Sequence, residues 1–152
     1  MILGVISDTH GLLRPEAVAA LEGVDQILHA GDVGSPDILE ALAKIAPVTA
    51  VRGNVDLDSW ANRLPDTEII EAGGTTVYML HDLGRLDLEP EAAGMRVVVY
   101  GHSHQPKLEE KHGVLYFNPG SAGPRRFHLP ISIGKLLIED EEIRGELVDL
   151  KL

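Results

Sequence analysis

The stretch of sequence that decides the fold is Met1-Ile2-Leu3-Gly4-Val5-Ile6, together with Ser7-Asp8-Thr9-His10-Gly11, which follows it directly. The first six residues form a nearly continuous apolar run, which is typical of a central strand buried on both faces. The next five are polar or small residues that favour a turn. The pattern therefore predicts a buried first strand that ends in a group of polar side chains.

The same order of apolar run and polar turn returns along the rest of the chain. The later polar clusters are Gly31-Asp32, Gly53-Asn54, His81 and Gly101-His102-Ser103-His104. Periodicity and β-branched content predict strands at residues 26–30, 48–51, 68–72, 75–80, 96–100, 107–110, 114–117, 131–138 and 143–150. Gly73-Gly74 is a hairpin turn between two of them, and the second arm of this hairpin delivers His81.

Helical patterns lie between the early strands. Pro15 suits the first turn of a helix that ends near Gly23. Ser35 and Pro36 are an N-cap and first-turn pair for a second helix, which Pro47 closes. Residues 89–93 favour one or two further helical turns. Strands that alternate with helices in this way predict an α/β fold.

The composition is that of a folded globular protein. The chain has 152 residues, of which 44% are hydrophobic and 24% charged, which fits one domain spanning residues 1–152 with a substantial core. It contains no cysteine, so disulfides and thiolate metal ligands are both excluded. A metal site in this chain would therefore use His, Asp, Glu or Asn.

The charge and hydropathy patterns limit the classes of partner that the protein is expected to bind. A formal net charge of −11 repels a phosphate backbone, which disfavours binding to a nucleic-acid polymer. No segment approaches the ~20 apolar residues that span a bilayer, and the first residues do not resemble an export signal. We therefore expect a cytoplasmic protein that makes no membrane contact. The oligomeric state stays open, with a homo-oligomer among the alternatives.

The polar clusters are spaced so that they can meet. They begin at positions 8, 32, 54, 81 and 102, at intervals of 24, 22, 27 and 21 residues. Each interval is about one strand with its return, so all five clusters can reach the same edge of the sheets. Ligands of open α/β sheets bind beyond the carboxyl ends of the strands, which makes this edge the candidate site.

The clusters also resemble the motifs of a known family. In the family's order, the chain is similar to the calcineurin-like metallophosphoesterases at Asp8-Thr9-His10, Gly31-Asp32, Gly53-Asn54, His81 and Gly101-His102-Ser103-His104. The resemblance extends over almost the entire chain. The later Asn118-Pro119-Gly120-Ser121, Arg125 and the β-rich end of the chain resemble the small bacterial and archaeal phosphodiesterase branch. This resemblance implies a metallo-dependent phosphatase-like sandwich of two mixed β-sheets flanked by helices, with a metal centre at the shared strand ends.

The resemblance also implies two divalent metal ions held by seven side chains, which would be the catalytic residues. One metal would be bound by Asp8, His10, Asp32 and His104. The other would be bound by Asp32, Asn54, His81 and His102, so that Asp32 bridges the pair. A shell of imidazole, carboxylate and amide groups suits Mn²⁺, Fe²⁺, Ni²⁺ or Zn²⁺ better than Ca²⁺ or Mg²⁺. Among these, the family makes Mn²⁺ the first choice.

Each of these residues also has a purely structural alternative. Asp8 and Asp32 are common turn and helix caps, and Asn54 after a glycine is typical of a left-handed turn. In the structural alternative, His102 and His104 are two solvent-exposed side chains at the surface. Five motifs in the family's order and with compatible spacing favour the metal site over these alternatives.

By resemblance, the function is hydrolysis of small phosphate esters, with phosphodiesters preferred, by attack of a metal-bridging hydroxide. Two cations ~3.5–4 Å apart can lower the pKa of a shared water and offset charge on the phosphoryl group. Three alternatives stay open on the sequence: a phosphomonoesterase, a nucleotide pyrophosphohydrolase, and a non-catalytic metal-binding scaffold. The last is the role of one eukaryotic retromer subunit that has this fold.

Two positions depart from the family pattern. Larger relatives have a His directly after the motif Asn, which is given the role of protonating the leaving group, whereas this chain has Val55. We therefore expect a preference for acidic leaving groups, or protonation from another source. The small phosphodiesterases have His-Gly-His where this chain has His81-Asp82-Leu83. Asp82 would either add negative charge near the metals or cap the following turn.

The remaining polar residues have less specific interpretations. Arg125, with Arg126 as its neighbour, is the candidate for binding the substrate phosphate, although two arginines in such a segment are often simply solvated. His29, inside a predicted strand, is expected to be a hydrogen-bonded core residue. Asp56 is expected to stabilise a turn. His112 and His128 are expected at the surface.

Overall fold

Ten strands and two short helices make up the regular structure of the chain, for which a computed structural model describes residues 1–152. The strands are β1 (Ile2–Ile6), β2 (Gln26–His29), β3 (Val48–Ala50), β4 (Thr67–Ala72), β5 (Thr75–Leu80), β6 (Val97–Val99), β7 (Lys107–Lys111), β8 (Val114–Asn118), β9 (Ser132–Glu139) and β10 (Glu142–Asp149). The helices are α1 (Pro15–Ala20) and α2 (Pro36–Ala43), and two 3₁₀ helices span Ser59–Arg63 and Leu83–Arg85. All ten predicted strands are present within a few residues of their expected bounds.

The strands form two five-stranded sheets, in the orders β10-β9-β1-β2-β3 and β4-β5-β6-β8-β7. In the first sheet β1, β2 and β3 are parallel, while β9 and β10 add an antiparallel edge. In the second sheet β5, β6 and β8 are parallel, with β4 and β7 antiparallel at the edges. Both sheets are therefore mixed, which confirms the predicted sandwich.

The main core lies between the sheets, because alternate residues of each strand point to opposite faces. In β1, Leu3 and Val5 are buried in the inter-sheet cluster with Met79 and Phe117, whereas Ile6 belongs to the cluster beneath the helices. Both faces of β1 are thus covered, as its continuous apolar run predicts. This burial fixes the position of the polar turn that follows Ile6.

The two outer faces are covered differently. Both helices pack on the first sheet, where Ala17, Leu21 and Leu42 are buried. Ser35 caps α2 by accepting a hydrogen bond from Asp37 N–H at 3.3 Å, as its sequence predicts. The longer of the two helices, α2, has eight residues, and no helix of the chain is long and apolar enough to cross a bilayer.

The outer face of the second sheet is covered by the irregular segment 83–95. Its apolar residues pack on a cluster that contains Tyr78, Val98 and Tyr100. The helical turns expected at residues 89–93 reduce to a single turn, in which Ala93 N–H donates to Glu89 C=O at 2.9 Å. The left-handed Gly94, with φ of 81°, ends this turn before a helix can form.

The β4–β5 hairpin has the predicted two-residue turn. Gly73 and Gly74 have φ of 56° and 79°, and positive φ at both central positions matches the type I′ turn that suits the right-handed twist of two strands. The pairing runs from Ala72 opposite Thr75 to Thr67 opposite Leu80. This register places the end of β5, and hence His81, at the same edge as the other polar clusters.

Candidate metal centre

The carboxyl ends of five parallel strands, three in the first sheet and two in the second, meet at one end of the sandwich. Backbone hydrogen bonds join the turns that follow them: Asp8 N–H donates to Gly31 C=O, and Gly101 N–H donates to His81 C=O, both at 3.0 Å. The polar residues after β1, β2, β3, β5 and β6 therefore face a shared space. All seven sequence-predicted ligands belong to these turns.

Asp8, His10 and His104 form one group at this edge. The imidazole Nε2 atoms of the two histidines are 3.3 Å apart, and their ring centroids are separated by 5.2 Å. The Oδ1 atom of Asp8 lies 3.8 Å from His10 Nε2 and 3.5 Å from His104 Nε2. One potential ligand atom from each residue thus lies within 4.8 Å of the other two, an arrangement suited to a metal ion.

His81, His102 and Asn54 lie on the opposite side of the space. The two imidazole centroids are 5.3 Å apart with the rings nearly perpendicular. The Nδ1 atom of His102 is 3.3 Å from Asn54 Oδ1. His81 is 5% exposed and directs Nε2 inward, because its Nδ1 is 2.7 Å from Ala30 C=O and donates to it. That hydrogen bond leaves the lone pair of Nε2 available for a cation.

Asp32 stands between the two groups. Its Oδ2 atom is 3.2 Å from His81 Nε2 on one side and 3.6 Å from His10 Nε2 on the other. Its Oδ1 atom accepts a hydrogen bond from Val55 N–H at 3.0 Å, which fixes the orientation of the carboxylate. Asp32 is the residue that resemblance assigns as the bridge, and its position between the histidine pairs suits that role.

Several buried polar atoms in this space have no hydrogen-bond partner in the protein. They are Asp8 Oδ1, His81 Nε2 and His104 Nδ1. A buried polar atom without a partner costs free energy, so native proteins nearly always satisfy it. Two of these atoms, Asp8 Oδ1 and His81 Nε2, point at the space between the carboxylates and imidazoles. A divalent cation would satisfy both, so the residues present fit a metal centre of nitrogen and oxygen ligands.

The protonation equilibria follow from this crowding of acids and imidazoles. Burial opposes ionisation of Asp32, but the adjacent His81 imidazole and the hydrogen bond from Val55 N–H outweigh it and lower the pKa of Asp32 to about 2. Burial likewise opposes the charged form of His81, but the neighbouring Asp32 raises the pKa of that imidazole above its ordinary value. Asp32 is thus ionised at neutral pH, the form in which a carboxylate binds a cation.

The pKa values of His10 and His104 are shifted in opposite directions. The nearby Asp8 carboxylate raises the pKa of His10, whereas burial lowers the pKa of His104. The positive charge of Arg126 makes a smaller contribution that opposes protonation of both imidazoles.

The backbone at the centre is unusual, because five of the seven residues have positive φ. The values are 56° for Asp8, 47° for His10, 55° for Asp32, 73° for His102 and 64° for His104. Left-handed conformations are uncommon outside glycine, and Asn, Asp and His are the residues that adopt them most readily. Each turn therefore bends sharply after its strand and returns the side chain toward the centre.

Residues outside the seven hold this arrangement in place. Asp8 Oδ2 accepts hydrogen bonds from Ser7 Oγ at 2.7 Å and from His102 N–H at 3.1 Å. Asn118 Nδ2 donates to Gly101 C=O at 3.1 Å, and Ser121 Oγ donates to Asp8 C=O at 3.0 Å. The motif Asn118-Pro119-Gly120-Ser121 thus braces the first and last ligand turns, a role that the sequence pattern alone does not indicate.

Asp56 and His29 are buried supports of the same kind. The Asp56 carboxylate accepts hydrogen bonds from the backbone N–H groups of Val33, Gly34 and Gly53, at 3.1, 2.9 and 3.0 Å. His29 Nδ1 accepts from Gly31 N–H at 3.1 Å, and its Nε2 lies 3.1 Å from Thr9 Oγ1. The expectations of a turn-stabilising Asp56 and a hydrogen-bonded core His29 are confirmed.

Two glycines allow the turns to approach so closely. A β-carbon on Gly53 would overlap Asp32 Oδ1 and the Asp32 backbone nitrogen, and a β-carbon on Gly101 would overlap Ser7 Oγ. Glycine is therefore required at both positions if the carboxylates are to keep their places.

The two arginines near residue 125 have different surroundings. Arg125 donates hydrogen bonds to Leu129 C=O and to a C-terminal oxygen of Leu152, so its guanidinium is engaged with backbone away from the ligands. Arg126 carries the charge that acts on His10 and His104. Binding of substrate by Arg125 stays a prediction, and Arg126 is the second candidate. His112 and His128 are exposed, as expected.

A cleft of about 710 Å³ opens from the side of the centre that contains Asn54, His81 and His102. Its further walls are formed mainly by polar residues: Arg52, Gly53, Asp56, Asp66, Thr67, Asp82, Arg85 and Asp87, with Leu57 and Leu80 as the apolar members. Asp82 caps the 3₁₀ helix that follows it by accepting from Gly84 N–H at 2.9 Å. A cavity of this size accommodates a small organic ligand.

Comparison with known proteins identifies the family of the chain. The model of the calcineurin-like phosphoesterase superfamily domain matches residues 1–141. A probable metallophosphoesterase of Methanothermobacter thermautotrophicus is 38% identical, over 97% of this chain and 92% of its own length. Phosphodiesterase YfcE of Escherichia coli K12 is 31% identical, over 90% of this chain and 87% of its own.

A solved structure with the same fold comes from a eukaryote. Wild-type Vps29 of Entamoeba histolytica, complexed with zinc, superposes with a TM-score of 0.79 at 22% identity, over 99% of this chain and 100% of that one. At this identity the likeness shows the fold alone. The family match and the two sequence relatives go further, and they establish that the chain belongs to the calcineurin-like phosphoesterase superfamily.

Proposed function

We propose that this protein hydrolyses phosphate esters, phosphodiesters in preference to monoesters, at a centre of two divalent cations. The observation that supports the proposal is that five of the seven side chains place ligand atoms within 4.8 Å of one another in two overlapping groups. Two of those atoms, Asp8 Oδ1 and His81 Nε2, are buried without a hydrogen-bond partner in the protein. We assign Asp8, His10, Asp32 and His104 to one cation, and Asp32, Asn54, His81 and His102 to the other.

The protein's own residues set up the reaction. When bound, the cations supply Lewis-acid chemistry, activating water and offsetting the charge on the phosphoryl oxygens. Asp32 stays ionised and oriented by Val55 N–H. His81 keeps Nε2 directed inward because Ala30 C=O accepts from Nδ1. The ligand shell is thus preorganised before the substrate arrives.

The preference for diesters and for Mn²⁺ rests on relatives and on ligand chemistry. Phosphodiesterase YfcE is named for the diester reaction, and the same activity is proposed here by similarity. A shell of four imidazoles, two carboxylates and one amide suits Mn²⁺, Fe²⁺, Ni²⁺ and Zn²⁺. Mn²⁺ is the metal we propose first, in line with the family.

No titratable side chain follows Asn54 to protonate a leaving group. Val55 places its N–H on Asp32 and its side chain, 45% exposed, toward solvent. An acidic alcohol leaves as a stable anion without being protonated. We therefore expect esters of acidic alcohols to be the better substrates. This makes p-nitrophenyl esters suitable for the first assay.

A metal-binding scaffold without catalysis stays the second candidate, because the sequence leaves it open. A turnover assay distinguishes the two functions, because a scaffold that binds the metals does not release p-nitrophenol. The preferred substrate distinguishes a phosphomonoesterase or a nucleotide pyrophosphohydrolase with the same centre from the proposed phosphodiesterase.

The test combines metal analysis with hydrolysis. The protein, stripped of metal and reloaded with Mn²⁺, should bind two ions per chain and hydrolyse bis(p-nitrophenyl) phosphate faster than p-nitrophenyl phosphate. Asp32→Asn should lower turnover by about 100-fold or more and reduce the bound metal. Asp140→Asn is the matched control, since Asp140 has nearly the same φ, 56°, in the exposed β9–β10 turn. Unchanged turnover in Asp32→Asn would contradict the assigned bridge.

A further inference from the structure

We propose that the cleft beside Asn54 and His102 is a subsite for the alcohol portion of the substrate, in which Arg85 and Asp87 select an uncharged alcohol rich in hydrogen-bonding groups, such as a polyol or a nucleoside. This proposal rests on the proposed function, because it takes the scissile phosphate to lie at the cations. It adds the chemical class of the group attached to that phosphate.

The position of the cleft makes it the natural place for that group. Its lining includes the proposed ligands Asn54, His81 and His102, together with Arg85 and Asp87. A phosphate held at these ligands therefore places one ester substituent in the cleft. The volume of about 710 Å³ holds more than a small alkyl group and suits a substituent of nucleoside size.

Arg85 is a cation without a partner in this cleft. The other arginine of the lining, Arg52, is committed to Asp66, to which it donates two hydrogen bonds at 2.9 and 3.2 Å. The ion pairs of arginine and lysine join other residues, and the Arg85 guanidinium takes part in none of them. Its planar set of donors can bind hydroxyl and carbonyl oxygens or stack on a base.

The charge around Arg85 argues against a second phosphate in the subsite. Asp87 lines the same cleft and has no ion-pair partner, and Asp82 adds another carboxylate to the lining. One free guanidinium beside two carboxylates leaves the subsite without excess positive charge. A further phosphate would be repelled, whereas neutral hydroxyl, carbonyl and amide groups find both donors and acceptors.

The segment that presents these residues has a defined shape. Asp82 accepts from Gly84 N–H at 2.9 Å, Arg85 N–H donates to Asp82 C=O at 3.0 Å, and Leu86 N–H donates to Leu83 C=O at 3.1 Å. These bonds form the 3₁₀ helix Leu83–Arg85. It begins two residues after His81, so the subsite and the centre are joined through a short and hydrogen-bonded stretch of backbone.

Calorimetric titration of the Mn²⁺-loaded protein with three phosphates tests the proposal independently of turnover. Ethyl phosphate reaches only the metal centre, thymidine 5′-phosphate also occupies the cleft, and thymidine 3′,5′-bisphosphate adds a charge there. The protein should bind thymidine 5′-phosphate about tenfold more tightly than ethyl phosphate. Arg85→Gln should abolish this difference and leave the Kd of ethyl phosphate within about twofold.

Asp87→Asn should tighten binding of the bisphosphate by about threefold, because a repulsive charge is removed. Arg63→Gln is the matched control, since Arg63 ends the other 3₁₀ helix, is exposed and does not line the cleft. Equal affinity for ethyl phosphate and thymidine 5′-phosphate in the wild type would overturn the subsite, as would an equal loss of both in Arg85→Gln. If none of the three phosphates binds the loaded protein, the proposed function itself fails.

Discussion

At the scale of single residues, the centre is built on backbone conformations that most side chains avoid. Of nine non-glycine residues with positive φ, five are proposed ligands. Such conformations cost on the order of 1–3 kcal/mol each and persist only where surrounding contacts hold them. Here those contacts are buried hydrogen bonds such as Ser121 Oγ to Asp8 C=O. The strain places the side chains at the centre, and the rest of the fold stabilises it.

His29 provides a prediction about pH at this scale. The imidazole is fully buried, and burial lowers its pKa to about 4, whereas an unfolded histidine titrates near 6.5. The folded protein therefore holds His29 neutral, and its contribution to stability is complete above pH 6.5 and is lost as the pH falls toward 4. Between pH 7.5 and pH 5 the wild type should lose about 2 kcal/mol more than His29→Gln.

Urea unfolding of the metal-free protein at these two pH values measures the effect. Metal is removed because protons compete with cations for the other histidines. His10 and His81, whose pKa values are raised, contribute with the opposite sign, but they are present in both chains and cancel in the difference. An equal loss of stability in the wild type and in His29→Gln would show that His29 is not held neutral.

At the scale of elements, the turns after the strands act as a unit because Asp56 joins two of them. Its carboxylate accepts from Val33 and Gly34 in the turn after β2 and from Gly53 in the turn after β3. Asp32 and Asn54 are carried by these same turns. One side chain therefore sets the separation of two proposed ligands.

Removal of this carboxylate should be costly. Asp56→Ala leaves three backbone N–H groups without their acceptor, so we expect a loss of about 3–5 kcal/mol in the free energy of unfolding, measured with urea. Asp56→Asn keeps one oxygen acceptor and should lose about half as much. Asp58→Ala, two residues later and exposed, forms no side-chain cap and serves as the control. A loss below about 1 kcal/mol in Asp56→Ala would contradict the bracing role.

The elements that sequence predicts well are those with a strong apolar signal. The buried run of β1 and the capped start of α2 at Ser35 both follow from local chemistry. The 3₁₀ helix at Ser59–Arg63 escapes prediction, because fewer than two turns of three residues each leave no usable periodicity. The cover formed by segment 83–95 also escapes prediction, since its shape depends on the sheet beneath it.

The candidate site also has features that the sequence predicts and features that it does not. The residue types and the order of the turns predict that polar turns from both sheets meet at one edge. The bracing by Asn118 and the effect of the Arg126 charge on His10 both join parts of the chain that are far apart in the sequence. Strand and turn patterns carry no information about these contacts.

At the scale of the whole molecule, the centre sits where the two sheets join. Asp8, Asp32 and Asn54 follow strands of the first sheet, and His81 and His102 follow strands of the second. The chain carries a net charge of −11, and two of its carboxylates are buried at this junction. Cations bound there would link the sheets and offset the repulsion between these carboxylates.

Metal binding should therefore stabilise the entire fold and not the turns alone. A ligand that binds only the folded state at 100 times its Kd adds about 2.7 kcal/mol, so saturating Mn²⁺ should raise the Tm of the metal-free protein by about 5–10 °C. Hydrogen exchange should slow at the ends of both β2 and β6, because ligands follow strands in each sheet. Asp32→Asn should show a much smaller shift, and Asp140→Asn the full one. A Tm that does not respond to Mn²⁺, or a full shift in Asp32→Asn, would mean that the cations do not bind between the sheets.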